Sequence, residues 1–316
     1  MAYGIRGAIR PRPGPLRRAL RGARVLDQLR RSAPSRDDGQ VVTGEDWPGR
    51  VANFAYDALI AELETWPKPG LVSPVDSGSH DDMDAGTLRA SATAIRPFFA
   101  DLVVAGSRGT PMTDLRAIGL RAEAAMMVAT GGINAHRGAI FSLGLICAAA
   151  GALGDGPRIA EAYALAVGRL WGAAIRDVPA SPASHGGRVA RRYGVGGAGA
   201  EAAAGFPTIR STGLPALRSG RAWAEDDPMA ARVACFFALL AVVDDTNLLH
   251  RGGADGLRTA RAAAAAFGEA GGVAAAGWRA RALDVHRTFV AARLSPGGCA
   301  DLLAATLLLD ALANRA

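Results

Sequence analysis

The sequence predicts an all-α protein: a single compact multi-helix domain over residues 43–316, preceded by a disordered, arginine-rich extension over residues 1–42. Three observations carry that expectation. Half of the 316 residues are hydrophobic but only 6% are aromatic, so the core must be built mainly from Ala, Leu, Val and Ile. Alanine-rich stretches with few β-branched runs favour helix. No segment alternates apolar and polar residues over the length of a strand.

The elements follow in order. Residues 1–42 are rich in Arg, Pro and Gly and poor in large apolar groups, which leaves only a short amphipathic helix near Leu16–Leu29 to expect there. Thr43 or Asp46 reads as the cap of a first helix over Pro48–Glu64, with Val51, Phe54, Ala55, Ala58, Leu59 and Leu63 along one stripe. A second helix is expected over Ala85–Val104, with a kink at Pro97, and a third is capped by Thr113 and stopped by Gly131-Gly132. An apolar helix ends near Leu153, and another covers Pro157–Ile175. Residues 184–207 read as a glycine-rich junction. Helices over 228–243, 254–267, 272–292 and Cys299–Leu312 complete the chain, the last with Asp301 in its first turn.

Charge and cysteine content narrow the class. The net charge is +7, but residues 1–36 hold ten arginines against one acid, Asp27, so the rest of the chain sums to about −2. The basic character belongs to the extension, and the folded body is not expected to bind nucleic acid. Cys147, Cys235 and Cys299 are far apart among apolar or small residues, which predicts buried thiols in a reducing compartment, the cytoplasm. The charge-free run Gly138–Gly154 is short for a membrane span and broken by glycines, so a buried core helix is expected, with no membrane partner. No signal-peptide core stands near the N-terminus.

One stretch reads as part of a site. Trp66-Pro67-Lys68-Pro69-Gly70 cannot be helical, because its prolines remove backbone donors and push their neighbours toward extended conformations. It leads into Gly78-Ser79-His80-Asp81-Asp82-Met83-Asp84, and Lys68 is the only lysine in the chain. Where every other strong base is arginine, one lysine between prolines points to a need for a compact point charge.

Other junctions share this character. His80, His136, His185 and His250 all fall beside glycines at expected helix ends, while His286 falls within a helix and reads as a surface or packing residue. Free N–H groups and the dipole at a helix start favour anions, so Gly131-Gly132 with His136 and Arg137 is the best candidate for a phosphate cradle. The acids form two groups, Asp81/Asp82/Asp84 and Asp244/Asp245. Singly each aspartate reads as a cap. Together they suggest a cation, with Mg²⁺ held by one or two carboxylates and substrate phosphates. Zinc is not expected, since no cysteine lies near these histidines and no histidine pair has ligand spacing.

The junctions together resemble the triphosphoribosyl-dephospho-CoA synthase family. The matching segments are Glu62 with Pro67-Lys68-Pro69-Gly70-Leu71-Val72, then Gly78–Asp84, then Thr130-Gly131-Gly132-Ile133-Asn134 with His136 and Gly138–Gly144. Ser184-His185-Gly186, Glu201 with Gly205-Phe206-Pro207, Asp245–Gly253 and Leu294–Leu303 follow in consistent order, so the likeness covers residues 48–312. The family usually has Thr-His-Lys where this chain has Ala135-His136-Arg137, and an arginine where it has Gly199.

The resemblance implies glycosyl transfer. A ribose hydroxyl of 3′-dephospho-CoA attacks C1 of the ATP ribose, adenine leaves, and the product is 2′-(5″-triphosphoribosyl)-3′-dephospho-CoA. This is the prosthetic-group precursor for the acyl carrier protein of malonate decarboxylase or citrate lyase, passed on by a separate transferase. The lack of a fused transferase domain leans toward malonate decarboxylase. On this resemblance Lys68, Arg137, Arg251 and the amides of Gly131 and Gly132 bind the triphosphate, with Asn134, His185, Glu201 and Asn247 as further substrate contacts. Asp81, Asp84 and Asp245 hold Mg²⁺ or act as base, His80 or His136 assists the leaving adenine, and Glu62 is a further carboxylate candidate.

Two alternatives stay open on sequence. His80-Asp81 also suits a metal-dependent phosphohydrolase of the all-α His-Asp type, although no histidine precedes it. A non-catalytic protein using its basic extension on nucleic acid would show steeply salt-dependent binding.

Overall fold

The computed structural model describes residues 46–177 and 185–314, all within the unit Thr43–Ala316. The expectations placed on residues 1–42, including the disordered extension and its amphipathic helix, lie outside the described residues, as does Thr43. Among the described residues there is no strand, as the composition requires.

The first half is a bundle around one apolar helix. Helices α1 (Trp47–Leu63), α2 (Ala85–Ser107), α3 (Met112–Ala129), α4 (Arg137–Leu153) and α5 (Ala160–Asp177) follow one another in space. The charge-free run becomes α4, whose Ala139, Ile140, Leu143, Ile146 and Cys147 are all sealed from solvent. It is apolar on every side because neighbours cover every side. Small residues let α2 and α4 approach closely: a Cβ on Gly106 would lie 1.9 Å from the Ala148 carbonyl oxygen, and one on Gly151 would lie 1.9 Å from that of Val103. Helix α2 runs through Pro97 in one piece.

The second half contains more helix than its glycines suggest. Residues 185–207 form α6 (His185–Tyr193) and α7 (Gly197–Ala203), where a loop-like junction is expected from the sequence. A single wide π turn, Ile209–Gly213, then passes into α8 (Leu214–Trp223), for which the sequence reading makes no provision. The turn packs against the last helix, where a Cβ on Gly213 would meet the Thr306 hydroxyl at 2.7 Å. Helix α9 (Pro228–Val242) is capped by Asp227, which accepts from the Ala230 amide at 3.1 Å.

Helix α10 (Thr246–Glu269) starts earlier than expected and bends at Gly253, whose φ of 62° separates its first two turns from the rest. Helices α11 (Trp278–Ala291) and α12 (Gly297–Asn314) close the fold, with α12 packing on α1, α4 and α9. Among the described helices α12 alone is long and apolar enough to cross a membrane, yet Leu303, Ala305, Leu308 and Leu309 are fully buried inside the bundle. All three cysteines are free and buried, as expected, and burial pushes their thiols up, away from reactivity. The start of α3 differs from expectation: Pro111 holds the cap position and Thr113 lies inside the helix.

Candidate active site

The loop between α1 and α2 is held rigid by the turn between α11 and α12. Gly70 adopts φ 70°, and a Cβ there would fall 2.1 Å from the Leu294 carbonyl oxygen, so no larger residue fits without a shift. The Ser79 hydroxyl donates to the same oxygen at 2.6 Å. His286, read from sequence as a surface or packing residue, is buried; its Nδ1 lies 3.3 Å from the Lys68 carbonyl oxygen and its Nε2 lies 3.2 Å from Asp76. These contacts aim the Pro-Lys-Pro segment inward, and the Trp66–Pro67 peptide within it is cis.

Lys68 is consequently 1% exposed. Its ammonium donates to the Glu62 carbonyl oxygen at 2.7 Å and pairs with the Glu62 carboxylate, itself buried. Burial lowers the Lys68 pKa, and the Glu62 charge offsets part of that shift.

These groups form one wall of a cavity of about 180 Å³. His80, Asn134, His136, Arg137, Asn247 and Arg251 also line it, so eight of the sequence-predicted residues converge. Three helices present their N-terminal ends, within the first two turns, to it: α4 through Arg137 and Gly138, α10 through Asn247 and Arg251, and α12 through Gly297, Ala300 and Asp301. Helix N-termini and guanidinium groups on one opening make a setting for a polyanion. Leu59, Leu71, Val72, Met83 and Leu88 supply an apolar side that suits a flat base. At this volume the cavity takes one end of a nucleotide-sized ligand, since sites for whole small molecules run to about 300–1,000 Å³. A larger depression, about 410 Å³ between Arg221 and Pro228, has no converging set of polar groups from separate elements.

The two cavity histidines have different settings. His136 stands at the cap position of α4, buried, with Nδ1 2.7 Å from the Ser91 hydroxyl. Burial first, and then the Lys68 charge, lower its pKa to about 4, so it is neutral at pH 7. His80 is half-buried; its Nε2 lies 2.8 Å from the Ser295 hydroxyl, and its Nδ1 faces both Asp82 at 3.4 Å and Arg251 at 3.3 Å. Burial and then Arg251 hold its pKa below the ordinary value. Arg251 also donates to the Ser79 carbonyl oxygen at 2.9 Å, joining α10 to the lysine loop. Arg137 donates to Glu123 at 2.8 Å and stays half-exposed at the rim.

Several expected site residues are used elsewhere. The Gly132 amide donates to the Met127 carbonyl oxygen at 2.7 Å and that of Gly131 to Val128 at 3.4 Å, so both glycines end α3 in left-handed conformations and form no anion cradle. Asp84 caps α2 through the Thr87 amide at 2.8 Å, and Asp81 pairs with Arg293 on the surface at 3.1 Å. Asp245 is 1% exposed and gives both oxygens to backbone: Oδ1 accepts from Asn247 at 2.8 Å and Leu248 at 3.1 Å, Oδ2 from Cys299 at 2.8 Å. The three aspartates expected to hold Mg²⁺ therefore do not gather, and among the described residues no group of three or more His, Cys, Asp or Glu is placed to hold a metal. Each had a backbone N–H or a surface cation nearer to hand. Glu201 likewise accepts from the Thr208 amide at 2.7 Å and hydroxyl at 2.9 Å, closing the turn after α7. His185 opens α6, but its side chain lies outside what the structure describes.

Four residues of this site escaped the sequence reading in these roles: Ser91, His286, Ser295 and Asp301. Asp301 carried a signal, being the one charged residue between Ser295 and Leu309. It lines the cavity, accepts from the Ala139 amide, and lies against Gly138 so closely that a Cβ there would be 2.0 Å from its carboxylate.

The fold and the cavity define a class: an all-helical protein with a small polar cavity between helix ends. The sequence pattern of one such family, ATP:dephospho-CoA triphosphoribosyl transferase, matches residues 48–316. The chain belongs to that family and is a transferase. It is 42% identical over 268 residues to a probable 2-(5″-triphosphoribosyl)-3′-dephosphocoenzyme-A synthase of Azotobacter vinelandii, covering 83% of this chain and 91% of the relative. Proteins of the same description from Stutzerimonas stutzeri (43% over 272 residues, 83% and 91%) and Pseudomonas aeruginosa (43% over 279 residues, 85% and 92%) are equally similar. No solved structure matches the chain.

Proposed function

We propose that the protein moves the 5-triphosphoribosyl group of ATP onto 3′-dephospho-CoA with release of adenine, in the cavity where α4, α10 and α12 begin. The observation that carries this reading is the convergence of those three helix starts with Arg137 and Arg251, opposite an apolar wall. Family membership supplies the substrates.

At the exposed rim Arg137 and Arg251 take the triphosphate, with the dipoles of the three helix starts behind them, and Asn134 and Asn247 contact it or the ribose. Adenine is the end that the cavity encloses, against Leu71, Val72 and Leu88 and within reach of His136. A neutral His136 offers the departing purine a hydrogen bond without adding a cation beside the ribose, where positive charge develops as the glycosidic bond breaks. Lys68 is too enclosed to grasp a phosphate; it pairs with Glu62 at the cavity wall. Among the described residues no three acids or histidines gather into a metal cage, so Mg²⁺ would rest on one or two carboxylates and on the phosphates that ATP brings.

Incubation with ATP, Mg²⁺ and 3′-dephospho-CoA, followed by chromatography, tests the reading. Adenine appearing with no free phosphate or pyrophosphate is expected. Phosphate without adenine would favour a phosphohydrolase instead, and no turnover with salt-sensitive nucleic-acid binding would favour a binding protein. The finer assignment to malonate decarboxylase rests on the sequence reading alone. Supplying the product, with the downstream transferase, to the acyl carrier proteins of malonate decarboxylase and citrate lyase would decide it. A cytoplasmic setting agrees with three buried free thiols.

A further inference from the structure

We propose that Asp301 is the catalytic base of this transfer, taking the proton from the ribose hydroxyl of the acceptor; the inference rests on the reaction proposed above. Only two carboxylates, Glu62 and Asp301, line the cavity among the described residues. Glu62 is engaged in an ion pair with Lys68. Asp245, Asp84 and Asp81 are committed to amides or to Arg293. Asp301 accepts from the Ala139 amide and lines the cavity, with no cation paired to it among the described residues.

Its surroundings suit a base. The carboxylate is wedged against Gly138 in the first turn of α4, the turn that also presents Arg137 to the triphosphate. An acceptor hydroxyl beside Asp301 is therefore held near the ribose attached to that triphosphate. Burial, followed by the charges of Glu62 and Asp245, raises its pKa well above that of a free aspartate, which makes the carboxylate a stronger proton acceptor than one in water. Lys68 faces the same group of acids from the lysine loop, and Arg137, His136 and Arg251 face the cavity from α4 and α10.

The step balances. The acceptor oxygen forms its bond to C1 of the ATP ribose while its proton passes to Asp301. The C1–N9 bond breaks, its electron pair leaves with adenine, and adenine takes up one proton. Asp301 then releases its proton, so the net change is exchange of N9 for oxygen at C1.

The test compares Asp301→Asn with the parent. Loss of a general base is expected to lower kcat by about 10²–10⁴-fold. ATP affinity by calorimetry should stay within a few-fold, and the acidic limb of the pH profile should disappear. Since removing a charge from an acidic cluster relieves repulsion, the urea midpoint should hold or rise, which a structural role would not allow. An Asn variant with more than a tenth of the parent kcat overturns the proposal, as does loss of stability in parallel with activity. If the Asn variant does not fold, Gly138→Ala decides: it displaces the carboxylate but keeps its charge, and an unchanged kcat overturns the proposal. A parent that releases no adenine would instead overturn the proposed reaction.

Discussion

One oxygen of Asp245 accepts the backbone amide of Cys299 at 2.8 Å, so a single carboxylate caps α10 and also anchors the start of α12. Two glycines permit this. A Cβ on Gly298 would lie 3.0 Å from the Asp245 carboxylate, and one on Gly297 would lie 2.7 Å from the side-chain nitrogen of Asn247. The two helix starts that face the cavity are thereby fixed to each other.

Asp245→Asn is expected to act through this joint. One side-chain atom becomes a donor facing another donor, either at Cys299 or at the Asn247 and Leu248 amides. An unsatisfied buried group costs about 1–3 kcal/mol. Urea denaturation should show that loss, and turnover should fall with it because the cavity walls are no longer held in register. Unchanged stability would remove Asp245 from the joint.

The Lys68–Glu62 pair should show strong non-additivity. Lys68→Met or Glu62→Gln alone leaves a buried charge without its partner and is expected to cost about 3–5 kcal/mol. The double variant should cost less than the sum of the singles, by more than about 1 kcal/mol. A denaturant double-mutant cycle measures this, and additive losses would mean that the pair does not form.

Acid sensitivity should trace partly to His136. Its pKa is lowered from 6.5 to about 4 in the folded chain. Between those values the unfolded chain binds a proton that the folded chain refuses, so stability is retained above pH 6.5 and lost as pH falls toward 4. The full effect is roughly 3 kcal/mol at 1.36 kcal/mol per unit. Urea midpoints at pH 7 and pH 4.5 should fall less steeply for His136→Gln than for the parent.

Close packing of α2 on α4 gives a steric prediction. Gly151→Ala places a methyl group against the Val103 carbonyl, and backbone cannot yield as a flexible side chain does. Overpacking of this kind costs about 1–3 kcal/mol. Gly119→Ala on α3, with no atom within 4 Å of the new Cβ, should instead gain up to about 1 kcal/mol in helix propensity. Thermal denaturation of the two variants should move in opposite directions.

Legibility differed between fold and site. Helices α1, α2, α4, α9 and α12 were readable because long apolar stripes admit few other conformations. Helices α6, α7 and α8 were not, since short segments containing Gly, Pro or several arginines have weak local preference and are held by packing on their neighbours. His286 shows the same limit within a correctly expected helix: its position was clear, but its contact with the Lys68 carbonyl spans 218 residues.

By itself the sequence determined the helical class, the non-helical proline–lysine loop and eight of the residues around the cavity, because proline, glycine and apolar spacing act locally. Only the tertiary structure decided what each acid does. Asp84, Asp245 and Asp301 are chemically identical side chains near helix starts, and they became a surface cap, a buried joint and a cavity wall according to which amides and charges packing brought within 3 Å.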